Sequence, residues 1–397
     1  NQVILSSFGT TDLAGQAIID SQQGDQVGTG VRIDENILVS RIDAETSTRR
    51  IYGVWLNGFT DSVIRGNRIS AEGVSYGYEE GITLLGETGR ATGVQVEGNT
   101  ISNAVHGIGV HTGKTGNPGI VLTRNHIFDN RNEHIFLSDG YQVRIINNLL
   151  YGSLHPGQAG ILLYNTDQVE VVNNTLDGIP TISVAGIAIG NPGIGTSSNV
   201  VIENNILTRW NKAIQNRDSG NRFKEVGHNL FFENVKDVED LAADPASQIP
   251  GNRTGDLFAS PEYVDAASQN YHLLAGSPAV DQAADSNAPT VDFDGQARPF
   301  GKASDIGADE ASSDAPIAPS PCAGPGCGGG GDGNGNPPSS SDAQQSNGGF
   351  GCAIIQPAAS SGTFDRSHFG DLLLLWVPFF YSLFMRSRAR SFFRRGP

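Results

Sequence analysis

Cysteine is missing from the body of this 397-residue chain, since Cys322, Cys327 and Cys352 all lie beyond residue 320. The first 320 residues therefore have no disulfide framework and demand no particular redox compartment. Basic side chains are scarce as well, 26 Lys and Arg against 42 Asp and Glu, for a formal net charge of −16. That balance argues against a nucleic-acid partner, because phosphate binding needs a basic surface that releases counterions. It also opposes unaided binding of an anionic polymer, although Ca²⁺ bridging two sets of carboxylates would restore that option. No charged stretch followed by an apolar run stands behind Asn1, so a signal peptide is either already removed or lies upstream. The strand-like residues 3–5 leave room for further coils before them.

What the sequence has in quantity is glycine, 51 residues, which together with many β-branched residues favours turns and strands over a helical enzyme. One motif recurs through the first two thirds: apolar, two residues, Asn, one residue, apolar. Asn36, Asn67, Asn99, Asn125, Asn148, Asn174 and Asn205 occupy it, with Asn229 as an eighth copy. Successive Asn are 31, 32, 26, 23, 26, 31 and 24 residues apart, a spacing that suits a common coil carrying loops of variable length and that helical repeats tolerate poorly. Between these copies runs a second track, Gly-Val-Trp-Leu at 53–56, Gly-Ile-Thr-Leu at 81–84, Gly-Ile-Gly-Val at 107–110, His-Ile-Phe-Leu at 134–137, Gly-Ile-Leu-Leu at 160–163 and Gly-Ile-Ala-Ile at 186–189. A coil of roughly 22 to 26 residues holds two or three short strands, each pairing with its copy one coil on. The repeated Asn tolerates the left-handed backbone that a sharp turn demands, and stacked amides can hydrogen-bond in a ladder along the axis. At about 4.8 Å per coil, eight coils make a rod on the order of 40 Å long.

These two tracks resemble the right-handed parallel β-helix repeats of pectate-lyase-like proteins and of the periplasmic copper-site assembly proteins that share the fold, over roughly residues 31–232. The resemblance implies an all-β, right-handed, single-stranded parallel β-helix of about eight or more coils over 1–233. A C-terminal cap is expected at 234–310. Its segments at 271–281, 292–299 and 305–310 are similar to the module called choice-of-anchor Q, in which Asp292, Asp294 and Asp305 serve either as cation ligands or as turn and cap residues.

Residues 311–362 read as a Gly-, Pro- and Ser-rich linker too poor in apolar residues to fold. Within it Cys322 and Cys327 suit a small disulfide loop better than a metal site. The segment 363–397 pairs an apolar run at 372–385, interrupted by Pro378, with a cluster of Arg. The run is short of the roughly 20 residues of a standard span, and the Arg should stay cytoplasmic, which places the β-helix outside the cell. With Gly351 and Cys352 ahead of it, this tail resembles bacterial C-terminal sorting signals. The resemblance implies a sorting protease as partner and Cys352 as the processing site; a simple tail anchor in the membrane is the alternative.

Aligning the coils collects candidate chemistry. Glu80, His106 and Glu133 stand just before the second track, and Asn57, His111, Ser138 and Tyr164 just after it, with Lys114, Asp139 and Asp167 close by. A lyase or epimerase needs His, Tyr or Lys to take a proton beside a carboxylate that Arg or Ca²⁺ neutralises, so His106, His111, Glu80, Glu133 and Tyr164 are the catalytic candidates. Trp55 and Phe136, on the outward line of the track, are candidate sugar platforms, with Lys114 and Asp139 as further substrate contacts. The paired acids of polygalacturonases and the Asp-rich calcium cluster of pectate lyases have no counterpart in the sequence. The expected function is therefore a secreted, surface-anchored bacterial protein, monomeric, that binds and processes extracellular polysaccharide as lyase, epimerase or hydrolase, with Ca²⁺ as its conceivable cofactor. The alternative is a non-catalytic adhesin or cell-envelope rod.

Overall fold

In the computed structural model the described residues are 2–5, 16–21, 28–44, 51–86, 90–113, 116, 118–152, 154–179, 184–190, 195–242, 249–250 and 253–312. Residues 1–323 make one compact unit and 324–397 a second, and the second lies outside the described residues. The tail, Cys352 and the linker beyond residue 312 therefore lie outside the described residues, and among the described residues no helix is long and apolar enough to cross a membrane.

The architecture is a parallel β-solenoid with three sheets. Sheet I has ten strands and runs from Gln2–Leu5 through Ile37–Ser40, Thr100–Ser102 and Thr175–Asp177 to Leu257–Phe258. Sheet II has nine, from Gln16–Ser21 through Glu80–Leu85, His106–His111, Ile135–Ser138 and Ala159–Tyr164 to Val238–Asp240. Sheet III has eight, from Arg32–Asp34 to Phe223–Gly227. Every pairing in these three sheets is parallel, and each strand meets its copy one coil away, as in Leu38↔Ile69 and Ile69↔Ile101.

Alternation explains the core. Sheet I sends Leu38, Ile69, Ile101, Ile127, Leu150, Leu176 and Leu207 inward, and sheet III sends Ile64, Val96, Leu122, Ile145, Val171 and Ile202, all at 1 % exposure or less. Sheet II sends two residues per strand, such as Ile82 with Leu84 and Ile161 with Leu163. Each such side chain contributes about 1.5–3 kcal/mol by leaving water, and only because the next coil covers it.

At the corner between sheets III and I the Asn side chains form a continuous column. The backbone N–H and the Nδ2 of Asn125 both donate to Asn148 Oδ1 at 3.0 Å, and Asn148 repeats the pattern onto Asn174 Oδ1 at 2.9 and 3.0 Å. The column runs from Asn36 to Asn229, whose N–H donates to Asp256 Oδ1 at 2.9 Å. The left-handed residue of the turn, expected to be this Asn, is the residue before it: Arg124 (φ 55°), Asn147 (52°), Asn173 (53°), Asn204 (58°) and their equivalents Gly66 and Gly98. The amide needs an ordinary backbone to face inward, so the strain sits one position earlier.

That shift has a further consequence. Asn147, Asn173 and Asn204 point their side chains outward and hold the segment 253–312 along the flank of sheet I. Asn173 Nδ2 donates to Asp305 O at 2.9 Å and Asn204 Nδ2 to Ala284 O at 2.9 Å, while Tyr271 Oη donates to Asp177 Oδ2 at 2.7 Å. The segment has its own polar centre, where the fully buried Arg298 meets Glu310 at 2.8 Å and donates to the carbonyls of Asp305, Gly307 and Asp309. Asp292 and Asp305 act as turn residues there: each carboxylate accepts two backbone N–H groups, from Gln296 and Glu310 and from Asp281 and Ala311.

Candidate functional site on the outer face of sheet II

Strand pairing sets the site. Glu80 pairs with His106, and Leu85 with His111, on adjacent coils; Val110 pairs with Leu137, and Ser138 with Tyr164. His111, Ser138 and Tyr164 thus stand in one column on three successive coils at the strand spacing of about 4.8 Å. Glu80 begins the strand before, at the far end from this column. It reaches His111 across Gly109, where a Cβ would stand 2.3 Å from Glu80 Oε2, so the absence of a side chain at 109 opens the path for the carboxylate.

The result is a polar string. Glu80 Oε2 accepts from Thr83 Oγ1 at 2.5 Å, and Glu80 Oε1 lies 2.9 Å from His111 Nε2. His111 Nδ1 is hydrogen-bonded to Ser138 Oγ, which in turn contacts the Tyr164 hydroxyl. Burial opposes ionisation of Glu80, yet the charge and hydrogen bond of His111, with His106 and Thr83, hold its carboxyl below its ordinary range. In the neutral ring, an ionised Glu80 that accepts from Nε2–H leaves Nδ1 to accept from the Ser138 hydroxyl; in the charged ring Nδ1 donates to Ser138 Oγ instead. Tyr164 is pushed up to about 12, first by burial and then by Asp139, Glu133 and Glu80 against the Ser138 hydrogen bond. It therefore keeps its proton at neutral pH.

A second pair lies alongside. His106 Nδ1 stands 2.9 Å from Glu133 Oε2. Burial pulls its pKa down, but Glu133, Glu80 and Glu79 together raise it above the ordinary value. Phe136 separates the two pairs, its ring stacked on His106 at 5.3 Å and edge-on to His111 at 5.5 Å.

The structure thus brings Glu80, His106, His111, Glu133, Tyr164 and Phe136 together. It does not leave Phe136 as an open sugar platform, because the ring is 9 % exposed and packs with Leu162, Tyr164 and Ala188. Trp55 sits three coils from Phe136 on the same outward line, edge-on to Tyr52 at 4.4 Å, and Asp139 accepts from Asn165 Nδ2 in a turn. Lys114 lies outside the described residues. The other histidines near them in sequence disperse: His126 faces outward from sheet I beside Tyr151, His155 contacts Arg131, and His134 lies in the solenoid interior.

Two partners escaped the sequence reading. Thr83 donates to Glu80 from three residues along the same strand, and that spacing is the signal that marks it. Arg217, whose charge acts on Glu133, donates to Gln215 Oε1 at 2.6 Å and to Gly157 O at 3.3 Å; no local pattern marks it.

Three stacked parallel sheets carrying titratable pairs on an outer face define a parallel β-solenoid protein whose side-chain chemistry is assembled coil by coil. The family model described as "Periplasmic copper-binding protein (NosD)" matches residues 30–248, and the chain belongs to that family. No curated protein matches it. Among solved structures it is similar to PfbA, a surface adhesin of Streptococcus pneumoniae, at 13% identity and TM-score 0.43, covering 60% of this chain and 63% of that one. The A-module of the Azotobacter vinelandii mannuronan C-5 epimerase AlgE4 is similar at 16% identity and TM-score 0.41, covering 58% and 67%. Pectate lyase Pel9A is similar at 14% identity and TM-score 0.36, covering 75% and 86%.

Proposed function

We propose that this chain is an envelope or surface β-solenoid that binds polysaccharide and acts on it by acid–base chemistry at the outer face of sheet II. The observation that carries the reading is the string Glu80–His111–Ser138–Tyr164 beside the pair His106–Glu133. Each acid is engaged by an imidazole, which suits proton transfer as in a lyase or epimerase better than two acids facing one another across a glycosidic bond. A proton leaving the Tyr164 hydroxyl can pass through Ser138 Oγ to His111 Nδ1, with Glu80 stabilising the resulting charge. Arg217, whose charge acts on Glu133, would meet a substrate carboxylate. The family's periplasmic description agrees with an extracytoplasmic location, and the Cys352 tail would supply attachment through a sorting protease.

The family description also names copper. The span 30–248 holds no Cys and no Met. Among its described residues no three His, Cys, Asp or Glu side chains converge on one point, so those residues do not fit a copper centre.

One observation favours a second reading, a non-catalytic adhesin or rod: Glu80 is 1 %, Ser138 6 % and Tyr164 8 % exposed, as in a polar network that merely fastens neighbouring coils. A panel of polysaccharides assayed for unsaturated products and for new reducing ends separates the two. We expect activity on a uronate-containing polymer that is lost in His111→Ala and reduced in His106→Ala. Full activity in both variants would remove this site, and no activity on any polymer would leave the adhesin.

A further inference from the structure

We propose a second, separate site: His272, Asp294 and Asp309 bind one divalent cation of the zinc class in the cleft between the C-terminal segment and sheet I. Their donor atoms all lie within 4.8 Å of one another. His272 Nδ1 stands 2.9 Å from Asp309 Oδ1 and 3.5 Å from Asp294 Oδ2. A cavity of about 230 Å³ opens over them, its opposite wall formed by His126, Leu149 and Thr175 of sheet I. None of the three donors belongs to the span 30–248 that defines the family, and the site is independent of the chemistry on sheet II.

The surroundings hold the donors in place before any ion arrives. Asp309 spends Oδ2 on the Leu273 N–H at 2.7 Å, which fixes the carboxylate with Oδ1 toward His272. Asp294 sits in the turn that Asp292 closes by accepting from Gln296 N–H at 2.7 Å. Asp292 in turn accepts from Glu310 N–H at 3.1 Å, so the turn is tied to the strand of chain that carries Asp309. Two carboxylates converging on a single imidazole leave an excess of negative charge that one doubly charged ion cancels.

Donor type selects the class of ion. One imidazole and two carboxylates, with no thiolate, suit Zn²⁺ and similar borderline cations, whereas Ca²⁺ and Mg²⁺ prefer oxygen-only shells. Three protein donors leave a fourth position open toward the cavity, where a water can complete the shell.

The test is calorimetric titration of Zn²⁺ into chelator-treated full-length protein carrying Cys322→Ser, Cys327→Ser and Cys352→Ser, which removes the thiols as competing ligands. We expect one equivalent to bind, and Asp294→Asn and His272→Gln each to weaken it by more than about tenfold. Both side chains are exposed, so unfolding curves recorded in chelator should superimpose on those of the parent and separate loss of the site from loss of the fold. Absence of Zn²⁺ binding, equal affinity in both variants, or tighter binding of Ca²⁺ than of Zn²⁺ would overturn the assignment.

Discussion

His134 offers the sharpest test of how this solenoid uses a polar group in its interior. Its ring is fully buried at a position that neighbouring coils fill with Gly107 and Gly160, its Nδ1 lies 3.2 Å from Asn130 Nδ2, and its Nε2 has no hydrogen-bond partner among the described residues. Burial alone pulls its pKa from 6.5 down to about 3. The folded state therefore refuses a proton that the unfolded chain accepts, so the stability His134 allows is complete above pH 6.5 and declines as the pH falls from there toward 3. At about 1.4 kcal/mol per pH unit, the loss between pH 7 and pH 5 comes to about 2 kcal/mol. In His134→Ala that contribution vanishes, while the cavity left behind costs the same at either pH. Urea unfolding followed by the fluorescence of the buried Trp210, at both pH values in both proteins, gives the double difference. A parent that loses no more stability than the variant over this interval would refute the claim that His134 is buried neutral.

Three other outcomes follow from the geometry. Gly109→Ala places a methyl group in the space of the Glu80 carboxylate; the fold should survive with a loss of about 1–3 kcal/mol, while the His111 imidazole resonances shift and polysaccharide activity falls as in His111→Ala. Asn148→Ala removes the acceptor of the Asn125 N–H and the donor to Leu122 O in mid-column, and should cost about 3 kcal/mol or more in chemical unfolding, against about 1 kcal/mol for Asn36→Ala at the end of the column. Arg298→Ala leaves Glu310 buried without its partner and should cost about 3–5 kcal/mol; limited proteolysis would then cut within 253–312 while the solenoid stays intact.

Much of the fold is legible in the sequence because a solenoid converts sequence period into spatial neighbourhood. Asn99, Asn125 and Asn148 are 26 and 23 residues apart and hydrogen-bonded to each other, so a pattern visible on the page is also the contact map. The same logic brought His106 beside Glu133 and His111 beside Ser138. The doublets Asn147-Asn148, Asn173-Asn174 and Asn204-Asn205 carried a further signal that went unread: the second Asn builds the column, and the first takes the left-handed turn and grips the C-terminal segment.

Period and alternation by themselves determined a parallel solenoid with two or three strands per coil, its inward columns and the coils on which the candidate acids and histidines stand. Tertiary structure decided the rest. That Glu80 crosses Gly109 to reach His111, that Phe136 is enclosed by its neighbours, and that His134 turns inward depend on how side chains share space above and below the sheet. The docking of 253–312 depends on contacts such as Asn173 with Asp305 and Asn147 with Val291, 132 and 144 residues apart. The repeat encodes the pairing of one coil with the next, but nothing in a period of two or three dozen residues specifies which distant segment will cover its flank.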